Sequence, residues 1–490
     1  FLVPLDDERR WYRYHHLFAD LLRSRLEQAH PDRVPALHRR ASEWYEHNGL
    51  IPEAVSHALA AGDVEGVARV VEGNALAMMD HGELTTLVGW LDALPDEVVR
   101  SRPWLGVARA WALTYAGQFD AVEPLLQDAE NALAGLEGAP KTGIEGLALS
   151  KVEESVPSRA KVRHIAGHIA AIRAYGAWIS GHGDHAVERA REALEHLPED
   201  DLMARGLAAT TLGSGLILIG DLAAAAQALT QAITISQAAG DTHVALLTTA
   251  DLAYLRVMQG QLREAAATCR GGLRLADEYV RRGGRQFPAT GNIYAVTSAV
   301  LCEWNDLEAA IRHAREGLEL GKQWRQIDTL TVNYVYLAEV LRATGDIAGA
   351  LKVVQKAKQV AGGVSSWFDI IIATTEVRLR LAQGDVGAAS RWAQRMGLCP
   401  DCEIKVGRHK GCNILARILV AQGRLDEASD LLARLLKVAE AAGAMGDVIE
   451  ILVLQALACQ AQGEIDQALT ALERALSLAE PEGYVRVFIG

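Results

Sequence analysis

Apolar and polar residues follow one another with helical spacing along most of this chain, and one short phrase punctuates the pattern. The phrase is a glycine, a polar residue, an aliphatic residue and, three positions later, an alanine. It is clearest at Gly345-Asp346-Ile347 with Ala350. It returns at Gly220 with Ala225, Gly260 with Ala265, Gly384 with Ala389, Gly423 with Ala428 and Gly463 with Ala468. At Asn305-Asp306-Leu307 with Ala310 the glycine is replaced. Successive phrases start 39 to 45 residues apart, the mark of a solenoid that stacks one supersecondary unit on the next.

Physical chemistry explains why these residue types recur. A glycine just past a helix end adopts the left-handed conformation that closes the helix without a Cβ clash. The polar residue after it caps the next helix, whose first N–H groups lack acceptors. The aliphatic residue and the alanine lie three apart and share one helix face, where the small side chain lets a neighbour approach. Upstream of Gly345, Tyr334, Leu337, Ala338 and Leu341 give the first helix its matching stripe. Each unit is therefore two antiparallel helices that bury their apolar faces only by stacking.

The phrase resembles the hairpin signature of the tetratricopeptide repeat, with units near 40 residues instead of about 34. The expected fold is all-α: a right-handed α-solenoid of tetratricopeptide-like helical hairpins, preceded by a short N-terminal β-hairpin. Composition agrees, since 50% of the residues are apolar and only 6% aromatic, which favours helices over sheet. A net charge of −13 argues against a nucleic-acid footprint. No apolar run near the roughly 20 residues of a membrane helix stands out, and no signal-peptide layout opens the chain, so a cytoplasmic setting is expected. A first residue Phe1 instead of methionine suggests a piece of something larger.

In chain order, Phe1–Leu5 and Trp11–Tyr14 read as two strands about the charged turn Asp6–Arg10, followed by a helix from His16 to about Gln28. The run Phe1-Leu2-Val3-Pro4-Leu5-Asp6, continued by Trp11-Tyr12-Arg13-Tyr14-His15-His16-Leu17-Phe18, resembles a segment of the MalT-like, LuxR-type ATP-dependent transcriptional regulators. Leu478-Ala479-Glu480-Pro481-Glu482-Gly483-Tyr484-Val485-Arg486-Val487-Phe488 resembles the same family's junction before its DNA-binding domain. The resemblance implies that residues 1–34 end a winged helix and that 481–490 are a linker. Between them, 35–116 is helical but lacks the 40-residue rhythm and reads as irregular helical hairpins, and a superhelix runs over 117–480, broken by a long Gly- and Pro-bearing loop from Gly135 to Arg159. The family's NTPase and helix-turn-helix would lie outside this chain, so ATP is expected only there and no cofactor here.

Two constellations carry candidate chemistry. Cys399-Pro400-Asp401-Cys402 with His409 and Cys412 has the donor count of a closed tetrahedral zinc site, open also to a zinc-dependent redox sensor. Against it, the register counted back from Gly423 turns Cys412 toward the core, as a small hydrophobe. His164 and His168, four apart, share a helix face near His182 and His185. They lack the glutamate of a zincin motif, and a partly exposed face is the simpler reading. Gly317–Lys322 lacks the spacing of a phosphate loop and sits at a helix end. No nucleophile, dinucleotide or kinase motif appears, so the chain is not expected to be an enzyme.

What remains is the inner wall, lined by the first helix of each unit. Positions off the apolar stripe include Thr210, Ser214, Asp251, Tyr254, Asn292 and Glu339. Further along come Arg342, Thr374, Arg378, Asn413 and Arg417. Such a mixture suits a polar ligand or peptide held by a few converging groups. The family resemblance implies a sensor that binds a small-molecule inducer (an oligosaccharide in the name-giving case) or a regulatory protein, with self-association of the full-length protein. The competing reading is a protein-interaction scaffold without a small-molecule pocket. An apolar-lined cavity with convergent polar groups favours the first, and an open polar groove the second. Neither direct nucleic-acid contact nor membrane contact is expected of this chain.

Overall fold

The computed structural model describes residues 2–4, 12–80, 83–115, 118–137, 159–324, 327–362, 366–402, 404 and 409–489. They fall into two compact units, Phe1–Ile165 and Ala166–Gly490, whereas the sequence reading starts the superhelix at residue 117.

In the first unit, β1 (Leu2–Pro4) pairs antiparallel with β2 (Tyr12–Tyr14), Leu2 opposite Tyr14. The helices α1 (His16–Ala29), α2 (Val34–His47), α3 (Ile51–Ala60) and α4 (Val64–Asp80) follow. Then come α5 (Leu84–Asp92), α6 (Asp96–Ser101), α7 (Pro103–Tyr115) and α8 (Val122–Glu137). Its core is Val55, Val67 and Val71 with Leu105, Trp111 and Leu126, all essentially inaccessible. Helix α1 buries no residue, and its Leu17, Leu21 and Leu22 are exposed. The long loop expected at 135–159 falls mostly outside the described residues, as does the turn at Asp6–Arg10.

Helix α9 (Arg159–Ile179) carries the chain into the second unit, where hairpins succeed one another. The first helices of the pairs are α11 (Leu202–Ile219), α13 (Thr242–Met258), α15 (Ala289–Glu303), α17 (Ile327–Ala343), α19 (Ser366–Ala382), α21 (His409–Ala421) and α23 (Met445–Gln462). Preceding or alternating with them are α10 (Gly183–His196), α12 (Leu222–Ala238), α14 (Leu262–Arg281), α16 (Leu307–Trp324) and α18 (Ile347–Ala361). The series continues with α20 (Val386–Arg395), α22 (Leu425–Ala442) and α24 (Ile465–Ala479), and a short α25 (Arg486–Ile489) ends the described chain.

The recurring phrase acts as its chemistry requires. Gly220, Gly260, Gly345, Gly384, Gly423 and Gly463 all have positive φ. Asp221, Asp346 and Asp385 each accept a hydrogen bond from the backbone N–H three residues on, at 3.1, 2.8 and 2.9 Å. Those bonds satisfy N–H groups that a helix start leaves without partners. Ala225, Ala265, Ala310, Ala350, Ala389 and Ala428 are wholly buried, so the small-residue ridge is where neighbouring helices meet. Gly317 and Gly321, inside α16, serve the same close packing. A Cβ on either would strike Asn333 or Leu330.

Helix α11 is long and apolar enough to cross a membrane by length and composition, which corrects the expectation that no such run exists. Sixty-one per cent of it is buried inside this unit, where it packs on α10, α12 and α13. At its inward positions, Thr210 binds Thr248 through their hydroxyls at 2.7 Å.

Among the described residues Asn305 is the non-glycine with positive φ, 62°, in the place where the other phrases carry glycine. Left-handed backbone costs an ordinary L residue roughly 1–2 kcal/mol, and asparagine tolerates it best. Asn305→Val is expected to destabilise the protein by about that amount, while Asn305→Gly holds or raises stability. Urea denaturation of the two variants beside the parent chain measures both.

Candidate functional site

The second unit curls until its far end meets its middle. The start of α23 packs on the end of α13, where a Cβ on Gly446 would lie 2.7 Å from the Val257 carbonyl oxygen. The following segment straps this closure. Trp304 Nε1 donates to the Glu482 carbonyl at 2.9 Å, and Val485 N donates to the Glu303 carbonyl at 2.9 Å. Arg263 donates from its backbone N to Glu482 Oε2 and from Nε to the Pro481 carbonyl, both at 2.8 Å. Tyr484 packs among Leu262, Ala265, Ala266 and Val300. Residues 481–489, expected as a linker, are thus folded onto the solenoid; an apolar Tyr484 and Phe488 gain more by packing than by hydration.

Inside this closure lies a cavity of about 360 Å³ lined from α9, α11, α13, α15, α17, α19, α21 and α23. Eight of the sequence-predicted residues face it. They are Ser214, Asp251, Tyr254, Asn292 and Glu339, with Thr374, Arg378 and Asn413. Thr210 does not; its hydroxyl is spent on Thr248 and the Gly206 carbonyl. Arg342 and Arg417 stand behind the lining, where Arg342 Nε donates to Glu339 Oε2 at 3.0 Å and Arg417 binds Glu450.

Sequence reasoning missed Trp178, Tyr336, Lys410, Asp447 and Glu450, all of which line the cavity. Lys410 stands one helical turn before Asn413, and Glu450 occupies the same turn of α23. Extending the inner register by that turn would have found both. Lys410, at the start of α21, is not among the inner-wall positions read from the sequence, yet its Nζ donates to Tyr254 OH inside the cavity. The apolar wall (Val332, Val335, Phe368 and Ile371 pack together) was legible only as core.

The polar groups pair off within the lining, Ser214 donating to Asp251 Oδ2 at 2.7 Å. Arg378 and Arg417 both donate to Glu450 Oε1, at 3.2 and 2.5 Å. Burial pushes the Glu450 carboxyl up, but the two guanidinium groups outweigh it and hold it down at about 2. Burial likewise opposes charge on Lys410, and Tyr254 with Asp447 reverses the direction, raising it. Glu303 differs. Burial first, then the Glu450 charge, pushes its carboxyl up to about 7 against the pull of Arg378 and Arg342. Its Oε2 has no hydrogen-bond partner.

The candidate zinc set is not brought together. Cys399 and Cys402 are joined to each other by a disulfide, which leaves neither sulfur as a thiolate ligand. Their loop is held by Arg434, which donates to the Pro400 and Cys402 carbonyls. Cys412 is 4% exposed inside the apolar core, where its register from Gly423 puts it. The side chain of His409 lies outside the described residues. His168 also departs from the expected exposed face. It is fully buried and bound through Nε2 to Asp201 Oδ2 at 2.8 Å.

Two measurements test this geometry. A carboxyl raised in the fold favours the protonated state, so Glu303 supports stability at low pH and withdraws support as pH rises from about 4.5 to about 7. Glu303→Gln is expected to flatten that part of the stability profile, read as urea midpoints across pH. Gly446→Ala forces α23 off the Val257 carbonyl, and faster amide exchange is expected over residues 480–489.

The solenoid has counterparts among known proteins. A family model described as the MalT-like TPR region matches residues 167–490, and one for the MalT winged helix domain matches residues 1–34. The HTH-type transcriptional regulator MalT of Yersinia enterocolitica is 27% identical over 494 residues, covering 100% of this chain and 52% of its own length. The MalT of Yersinia pestis gives the same figures. This chain thus spans about half the length of the curated relatives it matches. A Rap protein solved with competence and sporulation factor superposes with a TM-score of 0.55 at 12% identity, over 78% of this chain and 98% of that one. The STAND protein PH0952 of Pyrococcus horikoshii, described as having a tetratricopeptide repeat sensor, gives 0.50 at 13%, over 79% and 56%. These two share the tetratricopeptide-like fold. With well over half of its residues matched by the MalT-like model, the chain belongs to the MalT-like family of transcriptional regulators.

Proposed function

We propose that this chain is the signal-sensing module of a MalT-like regulator and that a small inducer occupies the cavity of the second unit. The observation that carries the reading is the cavity itself. It is a partly open pocket within a self-closed solenoid, walled by aliphatic and aromatic side chains and supplied with a few converging polar groups, the character of small-ligand sites. Its lining is more apolar than polar, unlike the polar groove that would favour a pure scaffold.

The mechanism is differential affinity. A ligand touching inward helices from α9 to α23 binds the closed curvature better than any opened one, and so shifts the population toward closure. The strap at residues 480–489 moves with that closure because it is bonded to α14 and α15. NTPase and DNA-binding domains outside this chain would receive the change. Regulatory proteins would act on the same equilibrium from the outer surface, in the cytoplasm. PH0952, described as an ATPase with a tetratricopeptide sensor, offers a parallel arrangement.

Native mass spectrometry of the gently purified chain, set against its denatured mass, tests the reading. The parent chain is expected to carry a small-molecule adduct, or to gain one from a metabolite panel. Thr374→Trp, which fills the cavity, is expected to lose it while keeping the helical circular dichroism. An adduct that persists on Thr374→Trp, or a parent chain that takes no small molecule, would sink the proposal.

A further inference from the structure

In a stacked array each hairpin offers one side to the unit that follows it, and along α22 that side is occupied. Leu432 is wholly buried, and Leu425 and Leu436 are half-buried. The next hairpin supplies polar partners as well. Asp426 Oδ1 accepts from Gln462 Nε2 at 2.8 Å, Ser429 Oγ donates to Gln462 Oε1 at 3.3 Å, and Glu440 is bound by Arg474. Arg417 of α21 reaches Glu450 in the same way.

Forty residues on, the same positions recur in α23 and α24, and no hairpin follows them among the described residues. Ile465, Leu472 and Leu476 stand in the places of Leu425, Leu432 and Leu436, and Leu469 in that of Ser429. Ile465, Leu469 and Leu476 are 53%, 53% and 47% exposed, and Leu457, in the place of Arg417, is 50% exposed. Successive spacings of 4, 3 and 4 residues put the four α24 side chains on one stripe, the pattern against which a second helix packs. Beside it run Asp466, Glu473 and Glu480, each exposed and seven residues from the next. Among the described residues none of these three carboxylates has an ion pair. Asp466 and Glu480 repeat Asp426 and Glu440, so the register calls for a donor opposite the first and a cation opposite the second.

We propose that this face docks an amphipathic helix of another protein. The helix would carry leucine-type residues at heptad spacing, with lysine or arginine along the edge that meets Asp466, Glu473 and Glu480. Its docking is independent of what fills the cavity. A second copy of this chain is the wrong occupant. An antiparallel pair of α24 helices centred on Glu473 sets Glu473 against Glu473 and Asp466 against Glu480, and opposed like charges are repulsive. A membrane surface is wrong too, since helices that lie on one are rich in Lys and Arg on the polar face, where α24 carries this row of acids.

Fluorescence anisotropy of the whole chain with labelled synthetic helices of about three heptads tests the assignment. One helix carries leucine at both packing positions and lysine along the flanking edge; the other has glutamate in place of lysine. The lysine helix is expected to bind saturably and roughly tenfold or more tighter than the glutamate helix, and to weaken as salt rises. Asp466→Lys with Glu473→Lys should reverse the preference. Glu308→Lys with Glu319→Lys, the same charge change on α16, should leave it in place. Leu469→Asp, at an exposed position, should abolish binding of both helices. Equal binding of the two helices overturns the proposal, as does a preference that survives Asp466→Lys with Glu473→Lys or that the α16 changes reverse. Absence of binding overturns it too, and so does light scattering that shows a dimer which Leu469→Asp dissolves, the mark of a second copy.

Discussion

The second unit depends on one close approach, the start of α23 against the end of α13. Repeat arrays ordinarily contact only their neighbours along the chain, and such an array leaves a groove open to water. Here the backbone of Gly446 comes so near the Val257 carbonyl that a Cβ has no room. The contact joins elements nearly two hundred residues apart in sequence, and everything enclosed by it gains a lower dielectric. The strap of residues 480–489 adds hydrogen bonds and the Tyr484 ring to the same seam.

Enclosure sets the electrostatic terms of the site. Buried charges persist only when paired, and the inner helices pair them across units: Glu450 on α23 binds Arg378 on α19 and Arg417 on α21. That network ties curvature to charge, because changing the angle between hairpins changes the distance between its members. Glu303 is the odd member. Its backbone carbonyl receives the strap and its carboxyl feels Glu450, so it stands where the closure and the cavity share one field.

Much of the local structure was legible because it rests on local chemistry. The hairpin glycines, the capping aspartates and the buried alanines are each decided within one turn of helix. The inner-wall reading found Asp251, Tyr254, Arg378 and Asn413 for the same reason, since position along an inward helix follows from distance to its hairpin. It overreached at Thr210, whose hydroxyl is consumed by Thr248, a residue of the neighbouring unit. The candidate zinc set comes apart in two ways: Cys412 lies in the core, where its register from Gly423 had placed it, and Cys399 and Cys402 turn toward each other, which spacing does not contain.

By itself the sequence determined that this protein is a stack of capped helical hairpins, and its two ends carried the resemblance to the MalT-like regulators. Helix caps and apolar stripes are short-range, and neighbouring residues suffice to decide them. Only the tertiary structure decided that the stack closes, that Lys410, Asp447 and Glu450 join the inner cluster, and that residues 480–489 fold back as a strap. Those outcomes sum small rotations between hairpins over many units, and no local pattern of residues records the sum.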